Sequence, residues 1–212
     1  MTIMARRGKG DRMRILVLDI GGVFYRGWPA EDFWPDWAAR TGLSREAMEG
    51  FLSGAPEARE ARLGRIPAAT YYALAGARLG ADPGALQALA EAAYLSDFNQ
   101  PLADWVGAIR RRGVSVSALT NSLSTEAQLK ARPALVGLFD HVITSCEAGC
   151  AKPDREIFRA LLTRLSAEPA EVVFADDDIR HVEAARALGL SAVHFQSTEQ
   201  AIAEIEGVLA LD

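Results

Sequence analysis

Five short apolar runs set the tightest limit on what this chain can fold into: RILVLDI (14–20), VSVSALT (114–120), HVITS (141–145), VVFADD (172–177) and SAVHF (191–195). Each has the length of a strand and is rich in Val and Ile. Their apolar residues follow one another instead of alternating with polar ones. Strands of that kind are buried on both faces, as in a parallel sheet. Helical stretches separate them. PLADWVGAIRRRG (101–113) sets Leu102, Trp105, Val106 and Ile109 on one stripe, carries basic residues in its last turn and stops at Gly113. DREIFRALLTRLS follows Pro153 with a similar stripe, and IRHVEAARALGL ends at Gly189 before the last run. Strand and helix alternate, so the expected fold is α/β, a doubly wound parallel sheet.

One region breaks the alternation. From about Trp28 to Asn99 no strand is legible, and EDFWPDWAARTG, SREAMEGFLSG, PAATYYALAGARLG and DPGALQALAEAAYLS read as four or five short helices broken by Gly and Pro. An all-helical insert after the first strand is expected. Trp28, Phe33, Trp34 and Trp37 lie near its start and are expected to pack the insert's own small core rather than to wall a substrate.

Composition narrows the function classes. The 212 residues, half of them apolar, suit one core domain with a small insert. A net charge of -5 argues against a nucleic-acid partner, which would call for a basic face. The one basic cluster (Arg6, Arg7, Lys9, Arg12 and Arg14) precedes the first strand, and residues 1–13 read as a flexible tail. No apolar run approaches the roughly 20 residues of a membrane helix. The short run after the basic stretch ends in Asp19, unlike a secretory leader. Cys146 and Cys150 are the only cysteines, which suits a reducing cytoplasm; CEAGC has no second Cys/His pair to complete a zinc site, so unliganded thiols are expected. Monomer and homodimer are both open.

The chemistry gathers where ligands bind in such sheets, beyond the carboxyl ends of the strands. Asp19 ends the first strand, Thr120 and Asn121 end the second, Lys152 lies in AKPDREIF before a helix, and Asp176, Asp177 and Asp178 follow VVFA. An ionised carboxylate at a buried strand end is costly without a partner. Carboxylates crowded at one edge repel unless a cation sits among them, and a hard divalent ion such as Mg²⁺ takes oxygen ligands of this kind. Asp178 alone reads as a helix cap. Thr120 and Asn121 offer short donors of the type that hold phosphate oxygens.

Together these residues resemble the haloacid dehalogenase superfamily of hydrolases over nearly the whole chain, from about Arg14 to Leu211. Asp19 matches the family's nucleophile, Thr120 (followed by Asn121) its second motif, Lys152 with Pro153 its third, and Asp176–Asp177 with EAARALGL its fourth. The first motif is of a D-x-G-G-V kind. The resemblance implies a Rossmann-like core over 14–27 and 100–212, with a helical cap over 28–99. It implies a cytoplasmic Mg²⁺-dependent phosphatase of a small phosphorylated metabolite. Asp19 would attack phosphorus and form an aspartyl-phosphate. Mg²⁺ would be held by Asp19, the Gly21 carbonyl and Asp177, with Asp176 beside them. Gly21, Gly22, Thr120, Asn121 and Lys152 would bind the phosphoryl group, and the two glycines would let the backbone come close to it.

The sequence departs from the pattern at two places. Most phosphatases of the superfamily carry a second Asp two residues after the nucleophile, as a proton donor; here Gly21 stands there. General acid–base help is typically worth about 10²–10⁴-fold. A good leaving group, a proton from Glu31 or Asp32 in the insert, or a weak or silent enzyme would each account for it. His181 replaces the usual Asn or Asp; it could orient the acidic loop by a hydrogen bond, but a surface helix residue is the favoured expectation, while His141 and His194 are expected at strand edges or in the core. A 2-haloacid dehalogenase is the alternative hydrolase, but GGVFYRG offers Arg26 without the Gly-Thr of those relatives. A catalytically silent binding or regulatory protein is the alternative outside enzymology.

Overall fold

In the computed structural model, which describes residues 15–25, 29–54 and 57–209, the five apolar runs form β1 (Ile15–Leu18), β2 (Ser115–Thr120), β3 (Val142–Thr144), β4 (Val172–Asp176) and β5 (Ser191–His194). They make one parallel sheet ordered β3-β2-β1-β4-β5. The sequence expectations for residues 1–13, Arg14, Arg26 and Trp28 lie outside the described residues.

The uninterrupted apolar runs have a simple cause. Leu16, Leu18, Val116, Ala118, Val173 and Ala175 enter one buried cluster, with Leu102, Val106, Ile109 and Ile205 from the flanking helices. Their neighbours Ile15, Val17, Leu119, Ile143 and Phe174 enter a second cluster on the opposite face, with Phe158 and Leu161. Each fully buried side chain of this size contributes roughly 1.5–3 kcal/mol. The helices that cover the sheet are α6 (Gln100–Arg111), α9 (Arg155–Leu165), α10 (Ile179–Arg186) and α11 (Thr198–Leu209), with the short α7 (Glu126–Lys130) and α8 (Ser145–Ala148) beside the strand ends.

Between β1 and α6 the described residues form α1 (Phe33–Thr41), α2 (Arg45–Leu52), α3 (Ala58–Arg62), α4 (Ala68–Leu79) and α5 (Pro83–Tyr94) and no strand. Local signals set their ends. Ser44 and Asp82 accept the backbone N–H groups that open α2 and α5, and Gly42 and Gly80 close α1 and α4 in the left-handed conformation. Trp34, Trp37, Met48, Phe51, Tyr71, Leu86 and Leu89 form the insert's own cluster, so Trp34 and Trp37 pack its core.

Two contacts fasten the insert to the sheet. Asn99 is fully buried; its N–H donates to Phe24 O at 2.8 Å and its Nδ2 to Val23 O at 2.9 Å, which stitches the returning chain to the departing one. At the far side, Gly64 (φ +66°) meets α8 so closely that a Cβ built there would lie 2.1 Å from the Cys146 carbonyl oxygen. Cys146 and Cys150 are free thiols. Among the described residues no helix is long and apolar enough to cross a membrane.

Candidate active site

The parallel register decides which side chains meet. Leu18 pairs with Ala118 of β2 and Ala175 of β4, so the residue after β1, Asp19, comes level with the ends of both neighbours. Its N–H donates to Ala175 O at 2.9 Å. Asp19, Thr120, Lys152 and Asp176 are all buried there, 7%, 3%, 4% and 0% exposed.

Lys152 is the hub. Its ammonium donates to Asp19 Oδ1 (2.9 Å), Asp176 Oδ2 (2.6 Å) and the Leu119 carbonyl (2.8 Å). Burial works against its charge, but the two carboxylates outweigh it and raise the group above the ordinary lysine range. Asp19 Oδ1 also accepts from Ile20 N–H at 2.7 Å, which leaves Oδ2 without a hydrogen bond among the described residues. Burial pushes the Asp19 carboxyl up to about 6 against the pull of Lys152.

The acids divide by partner. Both oxygens of Asp176 are engaged: Oδ2 by Lys152, Oδ1 by His181 Nδ1–H at 2.9 Å and by the Asp178 N–H at 2.9 Å. Burial opposes its ionisation, yet His181 and Lys152 hold it below the usual range. Asp177 has no such partner, and partial burial together with the Asp176 charge raises it. One oxygen of each of Asp19, Asp176 and Asp177 lies within 4.8 Å of the others. An all-oxygen donor set of that size fits a hard divalent cation. Gly22 (φ +73°) is part of the same construction, because a Cβ built on it would fall 2.1 Å from Asp177 Oδ2. The bare glycine is what lets the carboxylate lie against the loop.

Thr120 ends β2, and its Oγ1 makes no hydrogen bond among the described residues. Asn121, expected as a phosphate donor, is paired with the Lys152 backbone. Its Nδ2 donates to Lys152 O and its Oδ1 accepts from Lys152 N–H, both at 2.9 Å. That reciprocal pair locks the lysine's backbone beside β2 and uses one of the two amide N–H groups. His181 departs from the favoured expectation. It leans from the first turn of α10 back onto Asp176 and orients it, instead of facing solvent. Asp178 caps α10 as expected, accepting from Arg180 N–H at 2.9 Å. His194 Nε2–H donates to the Asp177 carbonyl at 3.0 Å and steadies that loop.

Neither proton source expected from the insert is hydrogen-bonded to Asp19, Thr120, Lys152 or the acids after β4 among the described residues. Glu31 is exposed and paired with Arg45, and Asp32 is exposed ahead of α1. The side chain that faces Gly21 is Tyr94, the last residue of α5, whose Cε2 and hydroxyl lie 3.9 Å from where a Cβ would stand. Arg132 stacks over that ring, 4.9 Å from its centroid. Burial and the Asp19 charge push the Tyr94 hydroxyl far above the ordinary tyrosine range. Nothing near Tyr94 or Arg132 in the sequence marks either residue; their meaning depends on how the insert packs on the core. Both line a cavity of about 550 Å³ between insert and core, walled by Phe51, Tyr71 and Tyr72 and reaching Asn121 and Ser122.

Comparison with known proteins agrees with this geometry. Residues 13–189 match the haloacid dehalogenase-like hydrolase family. Bifunctional epoxide hydrolase 2 of Sus scrofa is 37% identical over 116 residues, 52% of this chain and 21% of its own length. A ribulose-1,5-bisphosphate 5-phosphatase of Halopiger xanaduensis is 33% identical over 127 residues, 56% of this chain and 52% of its own. The chain thus spans about a fifth to a half of the length of these curated relatives. A HAD family enzyme of Bacteroides thetaiotaomicron, solved with magnesium and inorganic phosphate, superposes with a TM-score of 0.69 at 20% identity, covering 85% of this chain and 93% of that one. The match over most of the chain places it in a known family: the chain is a member of the haloacid dehalogenase-like hydrolases.

Proposed function

We propose that the chain is a Mg²⁺-dependent phosphatase of a small phosphorylated metabolite, with the helical insert as its cap. The observation that carries this reading is the convergence of Asp19, Lys152 and Asp177 at one sheet edge, with Asp19 Oδ2 left free. Asp19 Oδ2 attacks phosphorus, the bond to the leaving oxygen breaks, and that oxygen departs with the electron pair and takes up a proton. Water then cleaves the aspartyl-phosphate and regenerates Asp19. Lys152 holds the nucleophile and places positive charge beside the transferring group, and Thr120 Oγ1 donates to a phosphoryl oxygen. Asp19, Asp177 and the Gly21 carbonyl would hold the ion, with Asp176 as the acid that anchors Lys152. When bound, Mg²⁺ supplies charge neutralisation between nucleophile and phosphoryl. The acidic cluster weighs against metal-free dehalogenation, and a silent scaffold would leave Asp177 and Asp19 crowded without function.

The test is phosphate release from p-nitrophenyl phosphate and from a panel of sugar and nucleotide phosphates, with Mg²⁺ and with EDTA, alongside Asp19→Asn. Release that needs the metal and vanishes in the variant is expected. No release from any ester would overturn the reading and make halide release from 2-haloacids the next assay.

A further inference from the structure

Arg132 is a cation without an anion. It is half-buried in the loop after α7 and lines the cavity between insert and core, and no carboxylate among the described residues lies within ion-pair distance. Its contacts are neutral: Nη2 donates to Ser124 Oγ at 3.4 Å, and the guanidinium carbon lies 4.9 Å from the Tyr94 ring centroid. Nη1 is buried and finds no acceptor in hydrogen-bond geometry, although the Tyr25 hydroxyl beside it is also unpartnered. Arg62, on the insert side of the same cavity, makes no ion pair with a carboxylate among the described residues. The one acid in the lining, Glu91, is hydrogen-bonded by Gln87 and pairs with neither arginine. Uncompensated guanidinium charge at a partly desolvated wall is unfavourable unless a ligand supplies the counter-charge. Arginine meets carboxylate and phosphoryl groups equally well with its planar fork.

Position adds the second constraint. Arg132 and Gly21 both neighbour the Tyr94 side chain, so Arg132 is linked through one side chain to the loop that carries Asp19. From these facts we infer that the substrate carries a second anionic group, a carboxylate or a second phosphoryl, and that Arg132 holds it while Asp19 faces the scissile phosphoryl. This rests on the phosphatase reading.

The experiment compares three-carbon phosphates of matched size: glycerol 3-phosphate without a second anion, 3-phosphoglycerate with a carboxylate, and 1,3-propanediol bisphosphate with a second phosphoryl. The expected result is a kcat/KM at least tenfold higher for one of the dianion-bearing esters than for glycerol 3-phosphate. Arg132→Met should lower that ratio by about 10- to 100-fold, mainly through KM, and Arg132→Lys should recover part of it. Which arm shows the preference tells carboxylate from phosphoryl. No preference in the unaltered protein, or a ratio that survives Arg132→Met, overturns the inference. Should the variant not fold, calorimetric titration of the unaltered protein decides, with 3-phosphonopropionate and propane-1,3-bisphosphonate set against propylphosphonate in the presence of Mg²⁺. Equal affinities overturn it. Should no ester be hydrolysed at all, the phosphatase reading fails while the same titration still reports on Arg132.

Discussion

Gly22→Ala puts the geometry of the acidic loop under direct test. The residue has φ +73°, where an L side chain costs about 1–2 kcal/mol. The larger effect is steric. A Cβ there falls 2.1 Å from Asp177 Oδ2 and 2.2 Å from Cγ, so the carboxylate must retreat by more than an ångström to reach ordinary contact. The Asp177 main chain cannot easily follow, because its carbonyl is held by His194 at 3.0 Å. The side chain therefore rotates and leaves the group of three carboxylates whose oxygens lie within 4.8 Å. A displacement of about 1 Å in a reacting assembly can cost 10²-fold. We expect phosphate release to fall about 100-fold and the Mg²⁺ concentration for half-maximal activity to rise. Thermal unfolding supplies an internal control. Moving Asp177 away relieves its repulsion with Asp176, so the loss of stability should be smaller in EDTA than in saturating Mg²⁺. A folded Gly22→Ala protein with an unchanged Mg²⁺ activation curve would refute the reasoning, since Asp177 would then not be the ion's ligand, or not be the group that Gly22 makes room for.

Other perturbations should act as follows. Lys152→Met removes the cation between Asp19 and Asp176, both bonded to it within 2.9 Å, and should cost about 3–5 kcal/mol in urea unfolding without metal, with part of the loss recovered by Mg²⁺. In the metal-free protein Asp19 titrates at about 6, and the ion binds its ionised form. Protons therefore compete below that pH: calorimetric Mg²⁺ affinity should fall about tenfold per pH unit below 6 and level off above 7. Gly64→Ala meets both a positive φ of 66° and the Cys146 carbonyl at 2.1 Å, so it should loosen the insert from α8. Faster hydrogen exchange of α3 and α8, with the sheet unaffected, is the expected signature.

The sheet and most of the site were legible because their physics is local. Strands buried on both faces leave runs such as ILVL without polar interruption, and a parallel sheet brings every strand end to one edge, so Asp19, Thr120 and Asp176 could be placed together before any coordinates. The helical stripe of the insert was legible for the same reason, as was the packing of Trp34 and Trp37. Other roles depend on contacts across the fold. Nothing around Asn121 in the sequence says that its amide holds the Lys152 backbone, 31 residues away. His181 looks like a solvent-facing helix residue because nothing in Val182 or Ala185 says that the first turn leans back on Asp176. Tyr94 and Arg132 carry no pattern at all; they meet only because α5 packs over the loop that follows α7.

The missing acid at position 21 follows from this packing. Gly21 does not need glycine for a left-handed backbone, and a Cβ there would clear its surroundings apart from ordinary contact with Tyr94 at 3.9 Å. An aspartate there would stand beside the Tyr94 ring and hydroxyl, 3.9 Å from its Cβ, and Arg132 lies over the same ring. A carboxylate inserted there would also stand beside Asp19, Asp176 and Asp177 and add a fourth negative charge to a loop that has one buried ammonium. The Tyr94 hydroxyl is neutral and held so by burial and by Asp19. Filling the place with a neutral group carried by the insert, rather than with an acid carried by the loop, ties the polar surroundings of Asp19 to the insert's position over the sheet edge. It also leaves the guanidinium of Arg132 as the positive charge over the ring, where a substrate's second anion would settle.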